Sequence, residues 1–145
     1  MSGTFLDNLD FRLEGPTSKI VILNKDLRYL SKDNKLYTIP SGFRCDLASV
    51  PKWLSYLAPP WQQSARAGVL HDCGYRWYEV WKKKKNSIDS LFYEALRADK
   101  TGRIRARIMK LAVQLFGKIS WDRWRRTPYI NKGMMPINIT DNYNG

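Results

Sequence analysis

Residues 19–39 pass through three short apolar runs, Lys19-Ile20-Val21-Ile22-Leu23, Leu27–Leu30 and Leu36–Ile39, each bounded by turn-forming residues. Runs of four or five residues rich in Ile, Val, Leu and Tyr are too short for helices and suit strands. Asn24-Lys25-Asp26 and Ser31-Lys32-Asp33-Asn34-Lys35 supply the turns, so a small antiparallel meander is predicted. Pro40-Ser41-Gly42 closes it, and from about Ser64 onward the apolar spacing is helical. A strand block followed by helices confines the chain to an α+β fold: a small antiparallel sheet over 19–40 packed on three to four helices.

At 145 residues the chain is one domain, large enough for a hydrophobic core without staples. Six Trp, eight Tyr and five Phe favour a packed fold over disorder. The expected plan is an N-terminal arm or edge segment over 1–18, a single α+β domain over 19–126, and an extended C-terminal tail over 127–145. Cys45 and Cys73 sit in no C-x-x-C pattern, so a reducing compartment is the default. Neither a signal-type apolar segment nor a run of transmembrane length is visible. The net charge of +12 fits an anionic partner, whether a lipid surface, nucleic acid or an acidic protein.

The spacing predicts a helix over 64–81 with Val69, Cys73, Trp77 and Val80 on its packing face. At about 100° per residue, His71, Tyr75 and Tyr78 fall together on a second face, as a pocket wall would. His71 is the only histidine. A following helix, capped by Asn86 or Ser87, buries Ile88, Leu91, Phe92, Ala95 and Leu96 and carries Asp89 in its first turn. The lysines at 82–85 read as a solvated helix end. A last long helix over 103–121 is expected to bury Ile104, Ile108, Leu111, Ala112, Leu115 and Ile119, with Arg103, Arg107, Lys110 and Lys118 opposite. A dense Trp/Arg cluster follows at 121–126.

Three ordered motifs carry a resemblance. Gly42-Phe43-Arg44-Cys45-Asp46-Leu47-Ala48-Ser49-Val50-Pro51, then Leu70-His71-Asp72 with Tyr75, then Asp89 ahead of Leu91-Phe92, resemble GF-x-TDLAS-x-P, HD-x-LY and AD-x-F. These are the motifs of a phage and prophage domain-of-unknown-function family. Gly117 and Trp121 match its closing helix, and the resemblance covers roughly residues 20–121. It departs at Cys45 in place of threonine, at Gly74 before the tyrosine and at Ile88 in place of alanine. The context it implies is a virion or assembly component, in the virion or host cytoplasm, among other phage structural proteins.

A looser likeness is to secreted phospholipase A2 and its parvovirus capsid relatives, which carry H-D-x-x-x-Y or H-D-x-C-Y on one helix and an aspartate on a facing helix. It implies that His71 is a general base, that Asp89 holds its other ring nitrogen, that Tyr75 braces Asp89, and that Asp72 binds calcium. The glycine-rich calcium loop of those enzymes is replaced here by Pro59-Pro60-Trp61-Gln62-Gln63, leaving Asp46 or nearby carbonyls as substitutes. The implied activity is calcium- or metal-assisted ester hydrolysis on lipid or cell envelope.

His71, Asp72, Tyr75, Asp89 and Asp46 are accordingly expected around one concavity. The plain alternatives are a satisfied half-buried His71 and a helix-capping Asp46 and Ser49. A basic nucleic-acid binder rests on charge and the Trp/Arg cluster alone. Zinc sites and HD-type phosphohydrolases need further histidines, and no P-loop or G-x-S-x-G pattern is present.

Overall fold

The computed structural model describes residues 2–46, 64–128, 134–136 and 139–144. They form an α+β fold with two three-stranded antiparallel sheets and five helices among the described residues. The strands are β1 (Thr4–Phe5), β2 (Phe11–Leu13), β3 (Ile20–Leu23), β4 (Leu27–Leu30), β5 (Leu36–Ile39) and β6 (Arg44–Asp46). The helices are α1 (Ala65–Arg76), α2 (Tyr78–Trp81), α3 (Lys85–Ala98), α4 (Arg103–Phe116) and α5 (Lys118–Arg126).

All three strands expected over 19–40 form, but they do not make one meander. β4 and β5 pair as a hairpin beside β1, whereas β3 lies between β2 and β6. The reason lies at Asn24. Its N–H donates to Asp10 O at 2.9 Å and its side chain joins Asp10 and Arg12, so the link after β3 is tied to the arm and does not close a hairpin. The β4–β5 turn is the one expected: Asn34 takes a left-handed backbone (φ 60°) and Ser31 N–H bonds Lys35 O.

The arm residues contribute β1 and β2, and Asp7 holds Arg28 through two side-chain bonds of 2.7 and 2.8 Å. At the other end, Thr140 exchanges backbone bonds with Leu36, Tyr143 N–H reaches Asn34 O, and Asp141 faces Lys35 at 3.7 Å.

The core lies between the sheets and α1–α3, with Tyr29, Tyr37, Ile39, Phe43, Leu70, Trp77, Trp81 and Leu96 buried. Alternation is clear in β4, where Leu27 and Tyr29 point inward. The helix expected over 64–81 is broken at Trp77, whose φ of −120° and ψ of 38° leave helical space although its N–H still bonds Cys73 O. The break lets both Trp77 and Trp81 enter the core. Gly74 allows α1 and α3 to approach closely, since a Cβ there would stand 2.8 Å from an Ile88 methyl.

α3 buries Ile88, Leu91, Phe92, Ala95 and Leu96 as expected, but it begins at Lys85. Asp89 therefore sits in the second turn, and neither Asn86 nor Ser87 caps the helix. α4 differs more. Its buried residues are Ala106, Met109 and Ala112, while Ile104, Ile108, Leu111 and Leu115 are exposed, as is Ile119 on α5. Small side chains let α4 lie close against α3, and of the residues expected inside only Ala112 is. No described helix is long and apolar enough to cross a membrane.

Candidate functional site

The site grows from helix period. His71 and Tyr75 are four residues apart on α1 and present both side chains to α3, where Asp89 lies one turn after Lys85. His71 Nε2 is 2.8 Å from Asp89 Oδ1, and Tyr75 donates its hydroxyl to the same oxygen at 2.6 Å. Lys85 Nζ donates to the other carboxylate oxygen at 2.9 Å. Asp89 is wholly shielded from solvent, and the His71 side chain is 13 % exposed. The imidazole meets the rings of Tyr75 (4.1 Å) and Phe92 (4.8 Å) at tilts of 46° and 48°.

Burial alone raises the Asp89 pKa, because desolvation disfavours the charged form. Hydrogen bonds from His71, Tyr75 and Lys85 outweigh it and hold the carboxyl below its ordinary range. Burial and the adjoining carboxylate push the Tyr75 phenol far upward, so it remains a donor. An ionised acceptor on Oδ1 assigns the proton of a neutral imidazole to Nε2 and leaves Nδ1 with its lone pair.

Lys85 was not among the expected site residues. Its side chain is only 17 % exposed, and Nζ also donates to the carbonyls of Val113 (3.2 Å) and Gln114 (3.4 Å) near the end of α4. It is thus not part of a solvated helix end. The i,i+4 spacing to Asp89 was the available signal. Gly117 lets the chain after α4 pass against Tyr75: a Cβ there would fall 2.5 Å from the phenol oxygen. Trp121 then meets Tyr75 edge-on at 5.3 Å and Tyr78 at 5.2 Å, while the Arg125 guanidinium covers Tyr78 and Trp121 at 3.7 and 4.0 Å. Arg125 also donates to the Tyr75 carbonyl.

Asp72 turns away from this group. Its Oδ2 is 2.8 Å from Arg76 Nη2, and the Arg76 guanidinium lies over Phe43 (5.0 Å) and Trp124 (4.5 Å). Burial raises the Asp72 pKa, opposed first by Arg76 and then by a hydrogen bond from the Cys45 thiol. A carboxylate already paired with a guanidinium does not fit the calcium-ligand role implied for Asp72. Asp46 reaches β6 through its backbone, paired with Ile20, but its side chain lies outside the described residues, as does Ser49. Among the described residues no three His, Cys, Asp or Glu side chains are grouped as metal ligands. His71, Tyr75 and Asp89 are therefore brought together, and Asp72 is not.

No curated protein and no solved structure matches the chain. A family model described as "Protein of unknown function (DUF1353)" matches residues 21–113, a span that runs from β3 into α4 and holds His71, Tyr75, Lys85 and Asp89. As that span is more than half of the sequence, the chain belongs to the DUF1353 family.

Proposed function

We propose that the protein is an ester hydrolase in which His71 is the general base and Asp89 its orienting partner. The observation that carries this reading is the 2.8 Å contact between His71 Nε2 and a fully buried, ionised Asp89. It is the base–orienter arrangement that acid–base hydrolysis requires. In the step proposed, Nδ1 takes a proton from water as the water oxygen bonds to the ester carbonyl carbon. When the tetrahedral adduct collapses, that proton passes to the leaving alkoxide and the carbon–alkoxide bond breaks. Asp89 keeps the ring in one tautomer throughout, and Tyr75 and Lys85 keep Asp89 ionised. General-base action of this kind contributes about 10²–10⁴ in rate.

The test is hydrolysis of aryl and phospholipid esters by the purified chain, with and without added calcium. His71→Gln should lower turnover by roughly 10² or more at an unchanged melting temperature. Wild-type protein inactive on every ester class with and without calcium would sink the hydrolase reading.

A second reading is a virion or assembly component of a phage, found in the virion or host cytoplasm. The motif resemblance supports it, and on this reading Lys85, bonded to two α4 carbonyls, makes the same residues a structural clamp between helices. On that reading His71→Gln reduces stability by about 1–3 kcal/mol, through unsatisfied buried partners, and no turnover is lost because none exists.

A further inference from the structure

The apolar line expected inside the protein stands outside it. Ile104 is 77 % exposed, Leu111 54 % and Leu115 64 %, with Ile108 between them. At about 100° per residue these four fall within one narrow stripe of α4. Exposure this high means that the side chains stand proud of the surface, since a groove would shield them. Arg103, Arg107 and Lys110 lie along one flank of the stripe and Arg105 along the other, and α4 contains no acidic residue. Across 103–126 there are eight Lys or Arg against a single acid, Asp122.

We infer that α4 seats the protein on an anionic lipid surface, with the stripe dipped into the interface and the flanking cations on the headgroups. Charge decides between occupants. A second copy would bring one cationic flank against another, which repels. A protruding ridge with cations beside it suits a fluid anionic interface, which needs no matching groove. The seat is independent of the His71–Asp89 chemistry.

The experiment is flotation of the full chain with phosphatidylglycerol-containing and pure phosphatidylcholine vesicles at low and high salt. Wild type should bind the anionic vesicles, with binding at least about tenfold weaker on neutral vesicles and at high salt. Ile104→Ser with Leu115→Ser should lower binding to anionic vesicles at least about tenfold at low salt, with an unchanged melting curve. If that pair melts early, Ile104→Ala alone carries the comparison, with a smaller loss expected. Arg103→Gln with Arg107→Gln should flatten the salt dependence, and His71→Gln should bind as wild type does. Four results would overturn the inference: no binding at low salt; serine variants that bind normally; a wild-type dimer that the serine pair dissociates; or saturable binding of an acidic amphipathic peptide without vesicle binding.

Discussion

Lys85 and Asp89 meet at 2.9 Å one turn apart on α3, and the lysine spends its remaining donors on two carbonyls of α4. The carboxylate that orients His71 is therefore anchored to two helices at once. Removing one partner of a buried pair leaves the other charge unmatched. Lys85→Met should destabilise the fold by about 3–5 kcal/mol in urea titration. A loss below about 1 kcal/mol would mean that solvent reaches Asp89.

Asp89 should give the stability curve an acid limb. Its folded pKa lies below the ordinary carboxylate value of about 3.9, so its contribution is complete above that value. The contribution is lost as pH falls through the folded value. Asp72 has the opposite sign: its folded pKa is raised, so stability declines as pH climbs from the unfolded value through the folded one. Melting temperatures from pH 2 to 7 should show a shallower acid limb for Asp89→Asn than for wild type. Asp72→Asn should remove the opposing slope.

Gly117 and Tyr75 are coupled sterically. Gly117→Ala puts a methyl 2.5 Å from the phenol oxygen and 2.2 Å from the Val113 carbonyl. A loss of about 1–3 kcal/mol is expected. Tyr75→Phe removes one of the two groups and should recover part of that loss in a double-mutant cycle, seen as a coupling of at least about 0.5 kcal/mol. Strict additivity would show that the backbone contact with Val113 accounts for the whole effect.

The two apolar faces of the helical half should answer differently to truncation. Ile88→Ala, in the buried contact with Gly74, should cost about 2–5 kcal/mol by chemical denaturation. Leu115→Ser should change stability by less than about 0.5 kcal/mol, because its side chain is already in solvent. Equal losses would place Leu115 in the core.

What could be read from the sequence was set by period. Strands β3–β5, the α3 face and the shared side of His71 and Tyr75 follow from which residues share a side of a regular element, while Asp89 as their partner came from the motif resemblance. What depends on contacts between elements was not legible. A run of four lysines looks uniformly solvated, and only the true start of α3 turns Lys85 inward. In α4, Ile104, Ile108, Leu111 and Leu115 make the stronger stripe, yet Ala106, Met109 and Ala112 are buried. Hydrophobicity alone does not reveal that close helix packing selects the smaller face. Asp72 had its calcium role only from the likeness to phospholipase A2; successive helical residues point about 100° apart, and Asp72 pairs with Arg76.

Thr140 beside Leu36 and β1 beside β4 occupy the two flanks of the β4–β5 hairpin, and both come from outside the span matched by the family. Cut back to residues 21–113, the hairpin would lose β1 along β4 and the Thr140 bonds at Leu36, leaving unpaired N–H and C=O groups on both flanks, a template for strand-to-strand aggregation. The chain ends thus act as selvedges: a shortened form should precipitate or scatter light at concentrations where the full chain stays clear.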